Sequence, residues 1–228
     1  MLRIDLNVPY DEKDEAKRLG ARWDLVNKTW FIPNDIEPAP FTKWIPFYNA
    51  QAPWWYIAQT KGYCWKCHEQ TTFTAFLLPS GHKTLEADED SEIEGQTYWL
   101  EQHRPAFVFY IDDIPSTVRQ SLSRVTHFLS KDFSQTTQTK YWMNHCEKCG
   151  AKQGDFHMHC EPGGEFFPTT IEEAAAIQLH QINQPFIAAC GDISHQHIHV
   201  TMGGSTDEID QNICTSAEWI NFMTVVSN

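Results

Sequence analysis

The sequence predicts an α+β protein in which a small strand–helix–strand module precedes a larger domain of mixed sheet and helices. Apolar residues alternate with polar ones over residues 2–8, whereas further along the chain they recur at the spacing of a helix. A proline-rich stretch, residues 33–53, lies between the two regions. We therefore place the module in residues 1–48 and the larger domain in residues 49–228.

The module begins with a strand over residues 2–8, as the alternation indicates. Asp11 is suited to cap the helix that follows, and Gly20 stands where a helix commonly ends in a left-handed residue. A second short strand includes Trp30. We expect Trp23 and Trp30 to form the core of the module, because a small unit depends on aromatic side chains for its buried volume.

In the larger domain, periodicity and capping patterns predict the positions of further strands and helices. These are a buried strand over residues 105–111, a helix from Ser116 with an apolar stripe that runs from Val118 to Leu129, a helix over residues 170–183 with a capping box at Thr170 and Glu173, a strand over residues 198–202, and a short helix after Thr215.

Composition and charge exclude several classes of protein. The chain has 228 residues, of which 41% are hydrophobic and 13% aromatic, so it is neither disordered nor fibrous. A net charge of −13 repels nucleic-acid phosphates unless the basic residues share one face, and it favours a cationic partner.

Without a long apolar run or a signal-peptide core, we expect a cytoplasmic protein with no membrane contact. Acidic residues crowd residues 86–94, either as a solvated loop or as a patch for a basic partner.

Two Cys-x-x-C pairs, Cys64 with Cys67 and Cys146 with Cys149, are the most specific chemical signal. In a reducing compartment such pairs are more often metal ligands than disulfides. Two pairs complete the tetrahedral shell that Zn²⁺ prefers, and four protein ligands leave no position for a substrate. The sequence therefore predicts a structural zinc site, a zinc ribbon that anchors the larger domain. The alternative is four thiols that only pack or that serve redox chemistry.

The histidines leave several interpretations open. His195, His197 and His199 would share one face of a strand, as a polar surface or as a second metal site. Their pattern also resembles that of the histidine-triad nucleotide hydrolases, which implies a nucleophilic role for His197, although that family has apolar residues throughout between its histidines. His68 and His145 flank the cysteine pairs, where each is a candidate to replace a cysteine or to bond to one.

Two stretches resemble known bacterial proteins. Residues 8–33, VPYDEKDEAKRLGARWDLVNKTWFIP, resemble a small domain of unknown function whose signature runs V-P-Y-x-E-K-D-E-A-K-x-L-G-A-R-W-D. That domain is often attached to plasmid primases and other DNA proteins of mobile elements, so the resemblance implies a context and no particular activity. The pieces CWKC (residues 64–67) and NHCEKCG (residues 144–150) resemble an uncharacterised group of zinc-ribbon-like proteins. Neither resemblance implies an enzyme.

Three functions stay open at this point. We prefer a non-enzymatic, zinc-stabilised interaction protein, such as an immunity factor of a mobile element that binds a basic protein partner. The alternative is a nucleic-acid-binding accessory protein of plasmid or phage DNA metabolism, and the second alternative is a histidine-triad-like nucleotide hydrolase. We expect Trp54, Trp55, Arg22 and Lys17 to contact the partner.

Overall fold

The structure is a computed structural model that describes residues 3–93, 95–194 and 216–226. Over these residues the strands form one nine-stranded sheet and two three-stranded sheets. Strands outnumber helices, and the largest sheet contains both antiparallel and parallel pairs, which confirms the predicted α+β class with a mixed sheet. Within the described part of the chain, no helix is both long enough and apolar enough to cross a membrane.

The N-terminal module contains three strands and one helix, which are β1 (Ile4–Leu6), α1 (Lys13–Arg18), β2 (Arg22–Asp24) and β3 (Thr29–Ile32). Strand β3 lies between the other two and pairs antiparallel with both. Gly20 follows the helix with a φ of 106°, a left-handed conformation that glycine adopts without strain. Its predicted role in ending the helix is confirmed.

Two predictions for the module are wrong. Asp11 lies in a 3-10 turn before α1, and the residue that does precede the helix makes no side-chain capping bond. Trp23 is 45% exposed and packs edge-on against Trp30, so this pair does not form the centre of the module. Phe41 and Trp44 supply that volume instead, since the proline-rich connector folds back as a second 3-10 turn that buries both rings.

The larger domain has twelve strands among the described residues, which are β4 (Ala50–Ala52), β5 (Trp55–Tyr63), β6 (Gln70–Leu78), β7 (His82–Ala87), β8 (Thr97–Gln102), β9 (Ala106–Asp113), β10 (Leu129–Phe133), β11 (Lys140–His145), β12 (Lys152–Gln153), β13 (Gln178–Ile182), β14 (Phe186–Ser194) and β15 (Thr224–Val226). Nine of them form the large sheet in the order β15-β13-β5-β6-β9-β14-β4-β7-β8. The smaller sheet has the order β10-β11-β12 and is antiparallel.

Four described helices accompany these sheets, which are α2 (Ser116–Ser123), α3 (Asp155–Cys160), α4 (Ile171–Ala175) and α5 (Ser216–Phe222). Each face of the large sheet has its own apolar core, because successive residues of a strand point to opposite faces. Phe76 packs into the core that α2 covers with Val118 and Leu122. Leu77 packs into the opposite core, to which α5 contributes Trp219.

The elements predicted in the larger domain have mixed outcomes. The buried strand over residues 105–111 is confirmed as β9. The helix expected over residues 170–183 is wrong in length, because α4 ends at Ala175 and the residues beyond it pair with β5 as strand β13. The capping bond is confirmed, since the Glu173 N–H donates to Thr170 Oγ1 at 3.2 Å.

Three further predictions concern the apolar stripe of α2, the last helix and the strand over residues 198–202. The apolar stripe that begins in α2 does not continue as a helix, because Leu129 opens strand β10, although it packs into the same core. The short helix predicted near the C-terminus is confirmed as α5. The strand expected over residues 198–202 lies outside the described residues, as does Thr215.

The module and the larger domain meet at the start of α2. Asp5, on strand β1, is 6% exposed and accepts a 2.6 Å hydrogen bond from the backbone N–H of Ser116. The guanidinium of Arg119 lies 3.8 Å from the same carboxylate. Asn7 donates to Asp113 at 3.0 Å nearby. An acidic side chain from the module therefore satisfies an otherwise free N–H group at a helix end in the larger domain.

A buried carboxyl group holds strand β9 in an unusual conformation. Tyr110 has a φ of 49°, in a region that bulky residues rarely adopt, and its N–H donates to Asp155 Oδ2 at 2.7 Å. The facing residue, Gly191, has no Cβ; one built there would lie 3.0 Å from the Tyr110 Cβ. Burial raises the pKa of Asp155 to about 7, against the opposing effect of the Tyr110 hydrogen bond.

Replacing Asp155 with Asn should stabilise the protein at alkaline pH. Because the pKa of Asp155 is raised in the fold, its favourable contribution is complete below about pH 4 and is lost as pH rises through about 7. The amide oxygen of the substituted side chain can still accept from Tyr110, but the amide cannot ionise. Urea unfolding should show Asp155→Asn more stable than wild type by roughly 1–4 kcal/mol at about pH 8, with a smaller difference at about pH 5. An equal difference at both pH values would contradict a raised pKa.

Candidate metal centre

The four cysteines lie in the turns of two β-hairpins. Strands β5 and β6 and the turn between them form what we call the first hairpin, and Cys64 and Cys67 lie in its turn. Strands β11 and β12 and the turn between them form the second hairpin, and Cys146 and Cys149 lie in its turn. The fold thus brings together two cysteine pairs that are separated by about eighty residues of sequence.

The sulfur atoms have the spacing of metal ligands. Cys64 Sγ lies 3.7 Å from Cys149 Sγ, and Cys67 Sγ lies 3.7 Å from Cys146 Sγ. All four ligand atoms lie within 4.8 Å of one another. A tetrahedron with metal–sulfur bonds of about 2.3 Å has edges of about 3.8 Å, whereas a disulfide bond measures about 2.05 Å. The four cysteines can therefore hold a metal ion, and their spacing excludes disulfides between them in this structure.

The two cysteine turns share one backbone design. In the first turn, the N–H of Cys64 donates to Glu69 O at 3.0 Å, and in the second the N–H of Cys146 donates to Ala151 O at 2.9 Å. The residue after each pair is left-handed, with a φ of 59° at His68 and 68° at Gly150. Each turn therefore presents its two sulfurs from a tight loop. The left-handed position is occupied by glycine in the second turn and by histidine in the first.

Backbone N–H groups point at the first sulfur of each pair. Lys66 N–H donates to Cys64 Sγ and Lys148 N–H donates to Cys146 Sγ, both at 3.4 Å. Gln153 Nε2 donates to Cys64 Sγ at 3.2 Å. N–H donors stabilise a negatively charged thiolate more than a neutral thiol. Such donors are therefore expected around a metal-bound sulfur, which is a thiolate.

Electrostatics in the cluster favour a bound cation. Burial opposes ionisation of Cys64 and Cys146, but the N–H groups around them lower the pKa of both thiols. Although a backbone hydrogen bond involving Glu69 lowers the pKa of Cys67, burial and the neighbouring sulfurs raise it overall. Four thiolates so close together repel one another, and a divalent cation at their centre removes that repulsion.

Three side chains tie the two hairpins together. The buried amide of Asn144 accepts from Thr74 N–H at 2.8 Å and donates to Thr74 O at 2.9 Å, so it pairs with β6 as a strand would. Thr71 Oγ1 accepts from Glu147 N–H at 3.0 Å. Trp65 Nε1 donates to Lys152 O at 2.6 Å. Sequence reasoning missed these contacts, although Asn144 stands two residues before Cys146 on the strand that leads into the pair.

The histidines beside the cysteines are not ligands in this arrangement. His145 lies 3.3 Å from Asp132 and 3.4 Å from Ser130 Oγ, on the smaller sheet. His68 occupies the left-handed position of the first turn and is exposed. The metal-ligand group found among the described residues contains the four cysteines alone. His195, His197 and His199 lie outside the described residues, so their interpretations stay predictions.

The residues predicted to contact a partner have different environments. Trp55 is fully buried between Phe76 and Phe186, so the prediction that it contacts a partner is wrong. Trp54 is half-buried and packs edge-on against Tyr56. The other two predicted contact residues, Arg22 and Lys17, are exposed on the module.

Comparisons with known proteins identify the N-terminal module. Residues 3–46 match the family model of a domain of unknown function, DUF5710. Two DNA primases TraC of Escherichia coli are 57% identical to the chain over 42 residues and 59% identical over 39 residues. These segments are 18% and 17% of this chain but only 4% and 3% of the primases. The resemblance to a primase-associated domain is confirmed. No solved structure matches the chain.

Proposed function

We propose that this protein is a non-enzymatic, zinc-stabilised binding protein of plasmid or mobile-element DNA metabolism, and that the two hairpins bind single-stranded nucleic acid. The small module that also occurs in the TraC primases supports the DNA context. The sulfur spacing supports zinc, the usual ion for four cysteine ligands. A shell of four thiolates has no open position, so zinc would join the hairpins and would take no part in a reaction.

The observation that carries the proposal is a pair of exposed aromatic rings beside the cysteines. Tyr63 is 72% exposed at the end of β5, and Trp65 is 66% exposed in the first cysteine turn. The hydrogen bond from Trp65 to Lys152 O fixes one edge of the indole and leaves most of the ring open. Exposed aromatic rings held in place are the platforms on which nucleobases stack.

Lysines outnumber acidic residues in the segments that contain and adjoin the two cysteine turns. Residues 61–72 and 129–153 contain six lysines and three acidic residues, in a chain whose net charge is −13. Lys61, Lys66 and Lys148 are exposed and form no ion pair with the described residues. Lys61 also shares a face of β5 with Tyr63, two residues away. This local excess of cations allows the hairpins to attract phosphates although the whole chain is negatively charged, because salt screens the charges that lie farther away.

A binding assay with matched variants tests the proposal. The intact zinc-loaded chain should bind a fluorescent oligothymidine of about 20 nucleotides, with an affinity that falls steeply between about 50 and 200 mM salt. Trp65→Ala should weaken binding about tenfold, since one stacked base contributes about 1–3 kcal/mol. Lys66→Ala should reduce the salt slope by about one.

Phe47→Ala provides the control, because Phe47 is 70% exposed on the connector and lies apart from the cysteine turns in the sequence. Its affinity for the oligonucleotide should equal that of the wild type. Undetectable binding at low salt, or equal losses for Trp65→Ala and Phe47→Ala, would refute the proposal.

A further inference from the structure

The edge strand β8 is unusually open. It is the last strand of the nine-stranded sheet, and no described strand pairs with its outer edge. The side chains from Thr97 to Glu101 are all exposed. Protein sheets usually protect such an edge with proline, lysine or a bulge, because free backbone groups invite pairing with another chain. Strand β8 has none of these and carries Tyr98, Trp99 and Leu100 in its centre.

The register shows which backbone groups of β8 point away from β7. Asp88 N–H donates to Gln96 O at 2.9 Å, so this pair bonds directly, and residues of an antiparallel pair alternate between bonded and non-bonded positions. Counting along β8, Tyr98 and Leu100 bond to β7, whereas Trp99 and Glu101 direct their N–H and C=O groups outward. In agreement, Leu85, which faces Trp99, donates its N–H to Asn49 O on the far side of β7.

Apolar side chains flank this free edge on both faces of the sheet. Tyr98 is 46% exposed and Leu100 is 41% exposed on one face, and Trp99 is 38% exposed on the other. A strand added beside β8 would cover part of all three, because neighbouring strands lie about 4.8 Å apart. Backbone bonding and side-chain burial would therefore act together at this edge.

The charge around β8 identifies the kind of partner. Residues 82–102 contain seven acidic residues and one lysine, which is close to half of the net charge of the whole chain. Glu89, Asp90 and Glu92 are exposed in the loop between β7 and β8 and form no ion pair with described residues. A second copy of this chain would bring like charges together, and a nucleic acid would be repelled. A cationic polypeptide fits both the charge and the free backbone.

We propose that the outer edge of β8 binds a lysine- or arginine-rich segment of a partner protein, which adds to the large sheet as a tenth strand. Trp99 and Glu101 would exchange backbone hydrogen bonds with that segment, and the acidic loop would attract it. This surface is separate in sequence from the two cysteine hairpins, so the inference does not depend on nucleic-acid binding. It gives a physical form to the basic protein partner that the sequence favours.

Hydrogen exchange on the full zinc-loaded chain tests the inference directly. The probe is a synthetic peptide that alternates lysine and valine over about eight residues, the length of a strand. Saturating peptide should slow exchange of the Trp99 and Glu101 amides at least tenfold, and it should not bind once proline replaces its valines. Unchanged exchange at Trp99 and Glu101, or equal binding of the proline peptide, would overturn the inference.

Two variants of one position separate backbone pairing from simple charge attraction. Trp99→Pro removes an outward N–H while leaving the bonds between β7 and β8 in place, and Trp99→Thr removes the same ring but keeps the N–H. Trp99→Pro should bind the peptide at least tenfold more weakly than Trp99→Thr. Circular dichroism melting of both variants checks that the fold is kept. If both are folded and bind the peptide equally, the contact is charge attraction alone and strand addition is wrong.

Discussion

Replacing Cys146 with Ser should release the metal and lower the free energy of unfolding by several kcal/mol. Cys146 is 1% exposed, and its sulfur lies 3.7 Å from that of Cys67, so the hydroxyl would leave a gap in a closed shell of thiolates. A serine hydroxyl stays protonated at neutral pH and is a poor ligand for zinc. Because the metal joins elements that are distant in sequence, its binding energy contributes directly to folding.

Metal content and urea unfolding measure this effect together. The wild type should carry one zinc per chain, and Cys146→Ser should carry much less and unfold at a lower urea concentration. Cys160→Ser is the matched control, since Cys160 is half-buried and lies outside the four-cysteine group. It should keep its zinc. Retention of a full equivalent of zinc by Cys146→Ser would contradict the assignment of this ligand.

Replacing Asn144 with Leu should destabilise the protein almost as much, without removing a ligand. Both Asn144 and Thr74 are 3% exposed, and the Asn144 amide satisfies the N–H and the C=O of Thr74. Leucine leaves both backbone groups buried without a partner, at about 1–3 kcal/mol each, so we expect a loss of about 2–6 kcal/mol. Asn144→Leu should also bind zinc more weakly, because the second hairpin loses both of its bonds to Thr74 and is tied to β6 only through Thr71 among the contacts described above.

Asn183→Leu serves as the comparison for this experiment. Asn183 is exposed, and among the described residues its side chain bonds to Gln181 alone, so its replacement should change stability by less than about 0.5 kcal/mol. Chemical unfolding of the three proteins with zinc present gives the two differences. Equal stability of Asn144→Leu and Asn183→Leu would show that the amide bridge contributes nothing.

The cysteine cluster was predictable because the spacing of the cysteines within each pair indicates metal ligands. Each Cys-x-x-C pair is a complete half-site, and two halves make the usual shell of a structural metal. The Asn144 bridge was not predictable in the same way. An asparagine has no local signature that reveals a partner at Thr74, 70 residues away in the sequence.

The errors in the fold come from tertiary contacts that outweigh local preference. Residues 178–182 follow a genuine helix cap, yet they form β13 because pairing with β5 gains more than extending a short helix. The burial of Trp55 was open to prediction, because Trp55 begins strand β5 and shares one face of it with Ile57, another large apolar residue. Tyr110 was not, because its left-handed conformation depends on Asp155.

Zinc X-ray absorption on the intact purified chain shows whether the two hairpins meet around one closed metal site. We expect one zinc per chain, with four sulfur neighbours at about 2.3 Å and no nitrogen or oxygen bound to the metal. A metal-free chain that is fully stable, or a zinc with fewer than four sulfur neighbours, would contradict it.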